Sequence, residues 1–188
     1  MVVSFYQTIK NLNKKGRFIM NKNVWLTKLN IELGLEKAKA KAIESLNNNQ
    51  CLRSSYGAVI FCINEEGLIR KTFSGKTHIP THLKPCKECY RKVNNIQSGT
   101  RYECCRSIHA EQDAVLKMDN PYNYDFKVMF LYGINVHKLR PIDIVRPCNI
   151  CMKFILDADI DYIVTPSFQG TVLELLNKNE NGEYNSLL

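Results

Sequence analysis

Apolar residues recur along this chain first at helical and then at strand spacing. From Val24 to Leu46 the positions Trp25, Leu29, Leu33, Ala40, Ile43 and Leu46 follow a roughly helical period until Asn47-Asn-Asn49 ends it. This predicts one long helix with a kink at Gly34. The runs 56–63 and 67–73 flank Asn64-Glu-Glu-Gly67, a short glycine-containing connection that predicts an antiparallel hairpin. Residues 75–105 cluster Pro, Cys, Lys and Gly without a sustained period and read as a long loop or insertion, a feature that is usually functional when it occurs. Further on, a helix is expected at 108–118 (Ile108, Val115, Leu116), a strand at 126–136, a helix at 148–158 (Ile150, Phe154, Ile155) and a strand at 160–164. Gly170 then precedes a last apolar helix near 171–177. A helix, a hairpin and then alternating helices and strands imply a layered α/β domain with a mixed sheet.

The chain has 188 residues, 45% of them hydrophobic, which suits one compact domain with extensions. Residues 1–22 are basic and aperiodic and read as a tail, 23–177 as the domain with 75–105 inserted in it, and 178–188 as a polar tail. No apolar run approaches the roughly 18 residues of a membrane span, so no membrane partner is expected. The start lacks a secretory pattern, which points to the cytoplasm. Lys and Arg outnumber Asp and Glu by 26 to 18, a formal charge of +8. The excess is uneven: residues 70–106 hold nine basic and two acidic side chains. A solvated surface is the plain explanation, and phosphate or nucleic acid is the functional one. Eight cysteines without an export signal favour thiol or metal chemistry over a disulfide framework. Cys62 lies inside an apolar strand and reads as a small buried side chain.

The most informative residues are His109-Ala-Glu111 and Pro147-Cys-Asn-Ile-Cys151, each at the start of an expected helix. Pro147 suits a helix start because its missing N–H would have no partner there. Cys148 and Cys151 are three apart, so both sulfurs leave one face of the first turn, where the helix dipole favours thiolate. One imidazole and two thiolates give Zn²⁺ three ligands and leave a fourth position for water, as a catalytic site requires. Glu111 is angularly displaced from His109, so it is placed to handle the protons of that water and not to bind the metal. A structural site closed by a further cysteine is the competing arrangement.

The pairing His-x-Glu with Pro-Cys-x-x-Cys is the signature of zinc deaminases acting on cytosine or adenine. Over roughly residues 24–165 the chain resembles bacterial and phage deoxycytidylate deaminases. The resemblance is carried by Cys51-Leu-Arg53, Tyr56-Gly-Ala-Val-Ile60, Cys89-Tyr-Arg91, Ser98-Gly99, Tyr102-Glu-Cys-Cys-Arg-Ser-Ile-His-Ala-Glu-Gln112 and Pro147-Cys-x-x-Cys151. It implies a cytidine deaminase-like three-layer α/β/α fold with a five-stranded mixed sheet, hydrolysis of dCMP to dUMP plus ammonia, and a homo-oligomer, dimer or hexamer. By the same match His109, Cys148 and Cys151 would bind zinc and Glu111 would shuttle protons. The Ala110 amide would meet the pyrimidine carbonyl, and Ala58 would line the base pocket. Members of the family commonly follow the second strand with Gly-Tyr-Asn-Gly or Gly-Tyr-Thr-Gly; here the stretch is Thr72-Phe-Ser-Gly75, so Ser74 stands in for the longer Asn or Thr. Some members respond to dCTP and dTTP, and this departure bears on that control.

Cys51, Cys86, Cys89 and Cys105 remain, with Cys104 adjacent, and Cys86-x-x-Cys89 has zinc-knuckle spacing within the loop. A second, structural Zn²⁺ there would order a segment poor in apolar residues, and the resemblance supports it; ordinary reduced thiols are the alternative. Lys76, Arg91 and Arg106 are unranked candidates to pair with a nucleotide 5′-phosphate. A deaminase of RNA or single-stranded DNA would instead use the basic segments as a backbone track. The insertion has few aromatics for stacking, and a small nucleotide is the expected substrate. A non-catalytic zinc-stabilised regulatory module would have no use for Glu111.

Overall fold

The computed structural model describes residues 11–12, 18–19, 25–48, 50–97 and 100–175. In chain order its elements are β1 (Asn11–Leu12), β2 (Phe18–Ile19), α1 (Lys28–Asn47), β3 (Ser54–Ile63), β4 (Ile69–Lys76), α2 (Tyr90–Val93), α3 (Ala110–Leu116), β5 (Phe126–Asn135), β6 (Arg140–Pro141), α4 (Asn149–Asp157), β7 (Tyr162–Ser167) and β8 (Gly170–Leu175). Within the basic tail, β1 and β2 pair antiparallel. The other residues of that tail, Val24 of the expected helix, Ser98-Gly99 of the insertion and the polar tail 178–188 lie outside the described residues. No helix among the described residues is long and apolar enough to cross a membrane.

The main sheet runs β4-β3-β5-β7-β8, with the short β6 paired to the end of β5. It is mixed: β5 and β7 are parallel, joined by the α4 crossover, and the other pairs are antiparallel. The apolar run of β3 has no polar alternation because both of its faces are covered. Val59, Phe61 and Ile63 point to one side, where they meet Ala38, Trp25, Val128 and Phe130. Ala58, Ile60 and Cys62 point to the other, against Ala110, Ala114, Met129 and Ile155. The α1 layer thus covers one face, and α3 and α4 cover the other. This is a three-layer α/β/α arrangement.

Two expectations are corrected. The segment after Gly170 is not a helix: a two-residue turn at Phe168-Gln169 returns the chain alongside β7, with Ser167 opposite Gly170 and Thr165 opposite Val172. A short apolar run has no period long enough to separate helix from strand, and the tight turn decides. The fifth strand of the main path is therefore β8. In α1, the residues that set the predicted period are not the buried ones. Leu29, Leu33 and Ile43 are 74%, 42% and 40% exposed, and the face against the sheet is Gly34, Ala38, Ala42 and Ser45. The helix passes unbroken through Gly34, where a Cβ would lie 2.5 Å from the Phe130 ring. It begins at Lys28, after Trp25, with the Thr27 hydroxyl capping the Asn30 amide.

Small residues let helices approach the sheet at backbone distance. A Cβ on Gly57 would stand 2.0 Å from the Ala38 carbonyl oxygen of α1, and one on Gly75 would stand 2.1 Å from the Ala110 carbonyl oxygen and 2.4 Å from the Ala114 nitrogen of α3. Gly75→Ala must therefore push away the helix that follows His109. Because the colliding atoms are backbone, the expected loss of stability lies at or above the upper end of overpacking, about 3 kcal/mol. Chemical denaturation of Gly75→Ala beside the wild type measures it, and wild-type stability would contradict this packing.

The 75–105 insertion holds α2 and leads into a 3₁₀ turn at Tyr102–Cys104. Its base is closed by a two-way pairing in which the His78 amide donates to the Ile108 carbonyl at 3.2 Å and the Ile108 amide to the His78 carbonyl at 2.8 Å. The loop is thereby delivered to the N-terminus of α3.

Candidate active site

Helices α3 and α4 lie on one face of the sheet, and both present their N-cap residues to the same cavity. His109 is the N-cap of α3, and its amide donates to Gln112 Oε1 at 3.2 Å, which fixes the backbone from which the imidazole leaves. Cys148 is the N-cap of α4, and its sulfur accepts from the Cys151 amide at 3.5 Å. His109 Nδ1 stands 3.2 Å from Cys151 Sγ and 3.6 Å from Cys148 Sγ. All three ligand atoms lie within 4.8 Å of one another, and among the described residues this is the only such group. A tetrahedral zinc with Zn–S near 2.3 Å and Zn–N near 2.0 Å would separate N from S by about 3.5 Å. The donor set and its spacing fit that ion.

The electrostatics point the same way. Hydrogen bonds from the Cys151 thiol and the His109 ring hold the Cys148 thiol down at about 4, against the opposing effect of burial. Cys151 is pushed up, first by its hydrogen bond to Cys148 and then by burial. Burial works against charge on His109, but the hydrogen bond to Cys148 and the negative charges of Glu111 and Cys148 outweigh it and raise its pKa. Protons held on these thiols and the imidazole are what a soft divalent cation displaces on binding. Glu111, 6% exposed, has its carboxyl pKa raised by burial.

His109, Glu111 and Cys148 line a cavity of about 170 Å³ whose other walls include Tyr56, Thr77 and Tyr102. Tyr102 meets the His109 ring edge-on at 5.0 Å, and the Arg91 guanidinium lies over the Tyr102 ring at 4.2 Å from its centre. A stack of Arg91, Tyr102 and His109 thus ties the insertion to the cluster of His109, Cys148 and Cys151.

No family model matches the chain, and no curated protein matches its sequence. Among solved structures, the cytidine deaminase from Mycobacterium leprae aligns with 73% of this chain and 91% of its own, at a TM-score of 0.36 and 9% sequence identity. At that distance the chemistry of the site rests on its own side chains.

The other residues singled out from the sequence are dispersed. Ala58 is fully buried in the core on the cavity side of β3, and Tyr56, two residues earlier on the same face, reaches the cavity wall. Ala110 is buried as the first residue of α3. Ser74 lies in β4 opposite Val59, and its carbonyl accepts from Lys117 Nζ at 3.0 Å. Lys76 is paired with Glu44, whose carboxyl falls to about 2 through hydrogen bonds from Lys41 and Lys76. Arg106 borders a larger, neighbouring cavity, and Arg91 borders both that cavity and the one holding His109 and Glu111. The larger cavity, about 730 Å³, is lined by Cys51, Cys86, Cys89, Cys104 and Cys105. Burial pushes the Cys86 thiol up, Arg106 pulls it down, and charge on Cys105, Cys51 and Cys89 pushes it up again.

Sequence reasoning missed Arg53, Thr77, Tyr102 and Arg146 as cavity residues. Tyr102 opens the motif that ends at Gln112, Arg53 follows Cys51, and Arg146 precedes Pro147, so three of the four adjoin the motifs already in hand. Thr77 gives no such signal. Its place depends on pairing with Tyr56, through Thr77 N to Tyr56 O at 2.9 Å and Tyr56 N to Thr77 Oγ1 at 3.2 Å.

Proposed function

We propose that this protein hydrolyses the exocyclic amine of a cytosine nucleotide, converting dCMP to dUMP with release of ammonia. The observation that carries the proposal is the buried Glu111 carboxyl beside three converging metal ligands in one small cavity. His109, Cys148 and Cys151 would hold Zn²⁺, which supplies a Lewis acid and brings the pKa of water toward neutrality. Glu111 would take the two protons of the attacking water in turn, passing one to the ring nitrogen beside the amine-bearing carbon and the other to the amine nitrogen as the carbon–nitrogen bond breaks, so the water oxygen ends as a ring carbonyl and the nitrogen leaves as ammonia. The raised pKa of Glu111 suits both steps, because a carboxyl poised nearer neutrality can accept and then donate. Tyr56 and Tyr102 give the cavity apolar and aromatic walls for a flat base, and the Ala110 amide, at the start of α3, is free of an intrahelical partner and so able to meet a ring carbonyl.

The test is a panel of dCMP, CMP, deoxycytidine and a short cytosine-containing oligonucleotide, read by ammonia release. The expected order places dCMP first. Equal specificity constants for dCMP and deoxycytidine would remove the nucleotide from the proposal, and fastest turnover of the oligonucleotide would transfer it to nucleic acid.

We also propose a second, structural Zn²⁺ held by Cys51, Cys86, Cys89 and Cys105; the four thiols line one cavity but do not converge as His109, Cys148 and Cys151 do, so the metal would have to draw them together. Metal analysis is expected to give two zinc ions per chain, and loss of the second should loosen the 75–105 loop more than the core. A single zinc, with these four thiols freely modifiable in the folded protein, would reject it.

A further inference from the structure

The catalytic cavity does not end at its rim. Arg53, Ser54 and Arg91 line it and also line an adjoining groove of about 470 Å³, whose outer part is bordered by Lys92, Asn135 and His137. No carboxylate among the described residues lines the groove. This sets its cations apart from Lys71, paired with Asp119, Lys76 with Glu44, Lys117 with Asp113 and Arg101 with Glu103, whereas Arg106 and Arg146 also lack an ion pair among the described residues but lie outside the groove. Among the described residues Arg53, Arg91 and Lys92 have no such partner.

Arg91 is the decisive residue. It is only 6% exposed, and one terminal nitrogen, Nη2, donates to the Gln97 carbonyl at 3.0 Å and the Thr100 carbonyl at 2.7 Å. Its Nε is buried and has no hydrogen-bond partner among the described residues. Arg91 lines both cavities while its hydrogen bonds go to neutral carbonyl oxygens alone, so an anion at their junction supplies the opposite charge that the described residues do not. The remaining cations exceed what one group needs. A phosphate monoester carries about −1.5 to −2 charges near neutrality, whereas the groove offers three permanent positive charges and the His137 imidazole.

We propose that the groove continues the catalytic cavity as a subsite for two linked phosphates: Arg53 and Arg91 hold the first, and Lys92 and His137 extend the site to the second. The identity of the base rests on the deamination proposed above, while the anion does not. Nucleoside diphosphates then join the substrate class, and the determinant lies at the groove and not at Lys76 or Arg106.

The experiment compares dCDP, dCMP and deoxycytidine at fixed ionic strength in the zinc-loaded wild type, in Arg53→Ala, and in Lys92→Ala combined with His137→Ala, whose side chains are exposed. Specificity constants for dCDP are expected to match or exceed those for dCMP. Arg53→Ala should lower the dCMP-to-deoxycytidine ratio by about tenfold or more, and the double variant should lower the dCDP-to-dCMP ratio by a similar factor. Unchanged ratios, or dCDP turned over at least about tenfold more poorly than dCMP by the wild type, would overturn the subsite and leave deamination standing. If no cytosine compound is deaminated, the reaction fails instead, and the groove is judged by thermal shift with dCDP, dCMP and pyrophosphate. An added stabilisation by dCDP over dCMP that disappears in the double variant supports the subsite, and its absence from the wild type overturns it.

Discussion

Glu111→Gln is expected to lower ammonia release from dCMP by about 10²–10⁴-fold, the range over which a positioned acid and base contributes. The substitution preserves the side chain's shape and takes away its capacity to accept and return a proton. It should not weaken the fold: burial already disfavours the charged carboxylate, so a neutral amide of the same size replaces a group the cavity holds against its solvation. Zinc per chain and melting temperature should therefore match the wild type while turnover collapses. Near-normal turnover with full zinc would remove Glu111 from the reaction. Collapse accompanied by metal loss would make it a ligand or a brace, in conflict with the His109, Cys148 and Cys151 cluster being complete without it.

Cys148→Ala and Cys151→Ala should each abolish activity by a different route, loss of the catalytic metal. The two are expected to differ in collateral effect. Cys148 caps α4, and removing its sulfur strips the acceptor from the Cys151 amide, a loss of about 1 kcal/mol. Cys151 is fully buried, so its removal leaves a small void in the core. Metal analysis should show one zinc fewer per chain in both, and retention of the full complement would contradict the assignment. Zinc loading of the metal-free wild type should also release protons at neutral pH, because the Cys148 thiol is already held near 4 while Cys151 is pushed up and must give its proton to the solvent. Isothermal titration in buffers of different ionisation enthalpy counts them.

The central strands and the cluster of His109, Cys148 and Cys151 were legible in the sequence because both rest on local signals. An uninterrupted apolar run such as Tyr56–Ile63 needs cover on both faces wherever it falls, and a three-residue spacing at a helix start brings Cys148 and Cys151 to one side without knowledge of the rest of the chain. His109 joins them because α3 and α4 share a face of the sheet, which follows from the strand order and not from the alternation of strands and helices alone. The buried side of α1 was hidden for a physical reason. Hydrophobic periodicity marks large apolar residues, whereas this interface depends on Gly34, Ala38, Ala42 and Ser45, whose small size permits contact with the sheet backbone. Cations were equally opaque. Lys76 is neutralised by Glu44, an element away in sequence, and Arg53 and Arg91 share a cavity across a separation that no local pattern records.

Gly57 and Gly75 lie one pairing step apart, with Gly57 opposite Lys76 and Ala58 opposite Gly75, and they admit α1 and α3 from opposite faces. At this point the usual cushion of side chains is missing, and main chain rests on main chain through the whole thickness of the domain. Side chains absorb small displacements by changing rotamer, and a backbone contact cannot. The ligand-bearing helix is consequently seated like a bearing on a hard surface. Its excursions require the hairpin itself to open, so amide hydrogen exchange at Ala58 and Gly75 becomes a clock for how often the cavity around His109 and Glu111 comes apart.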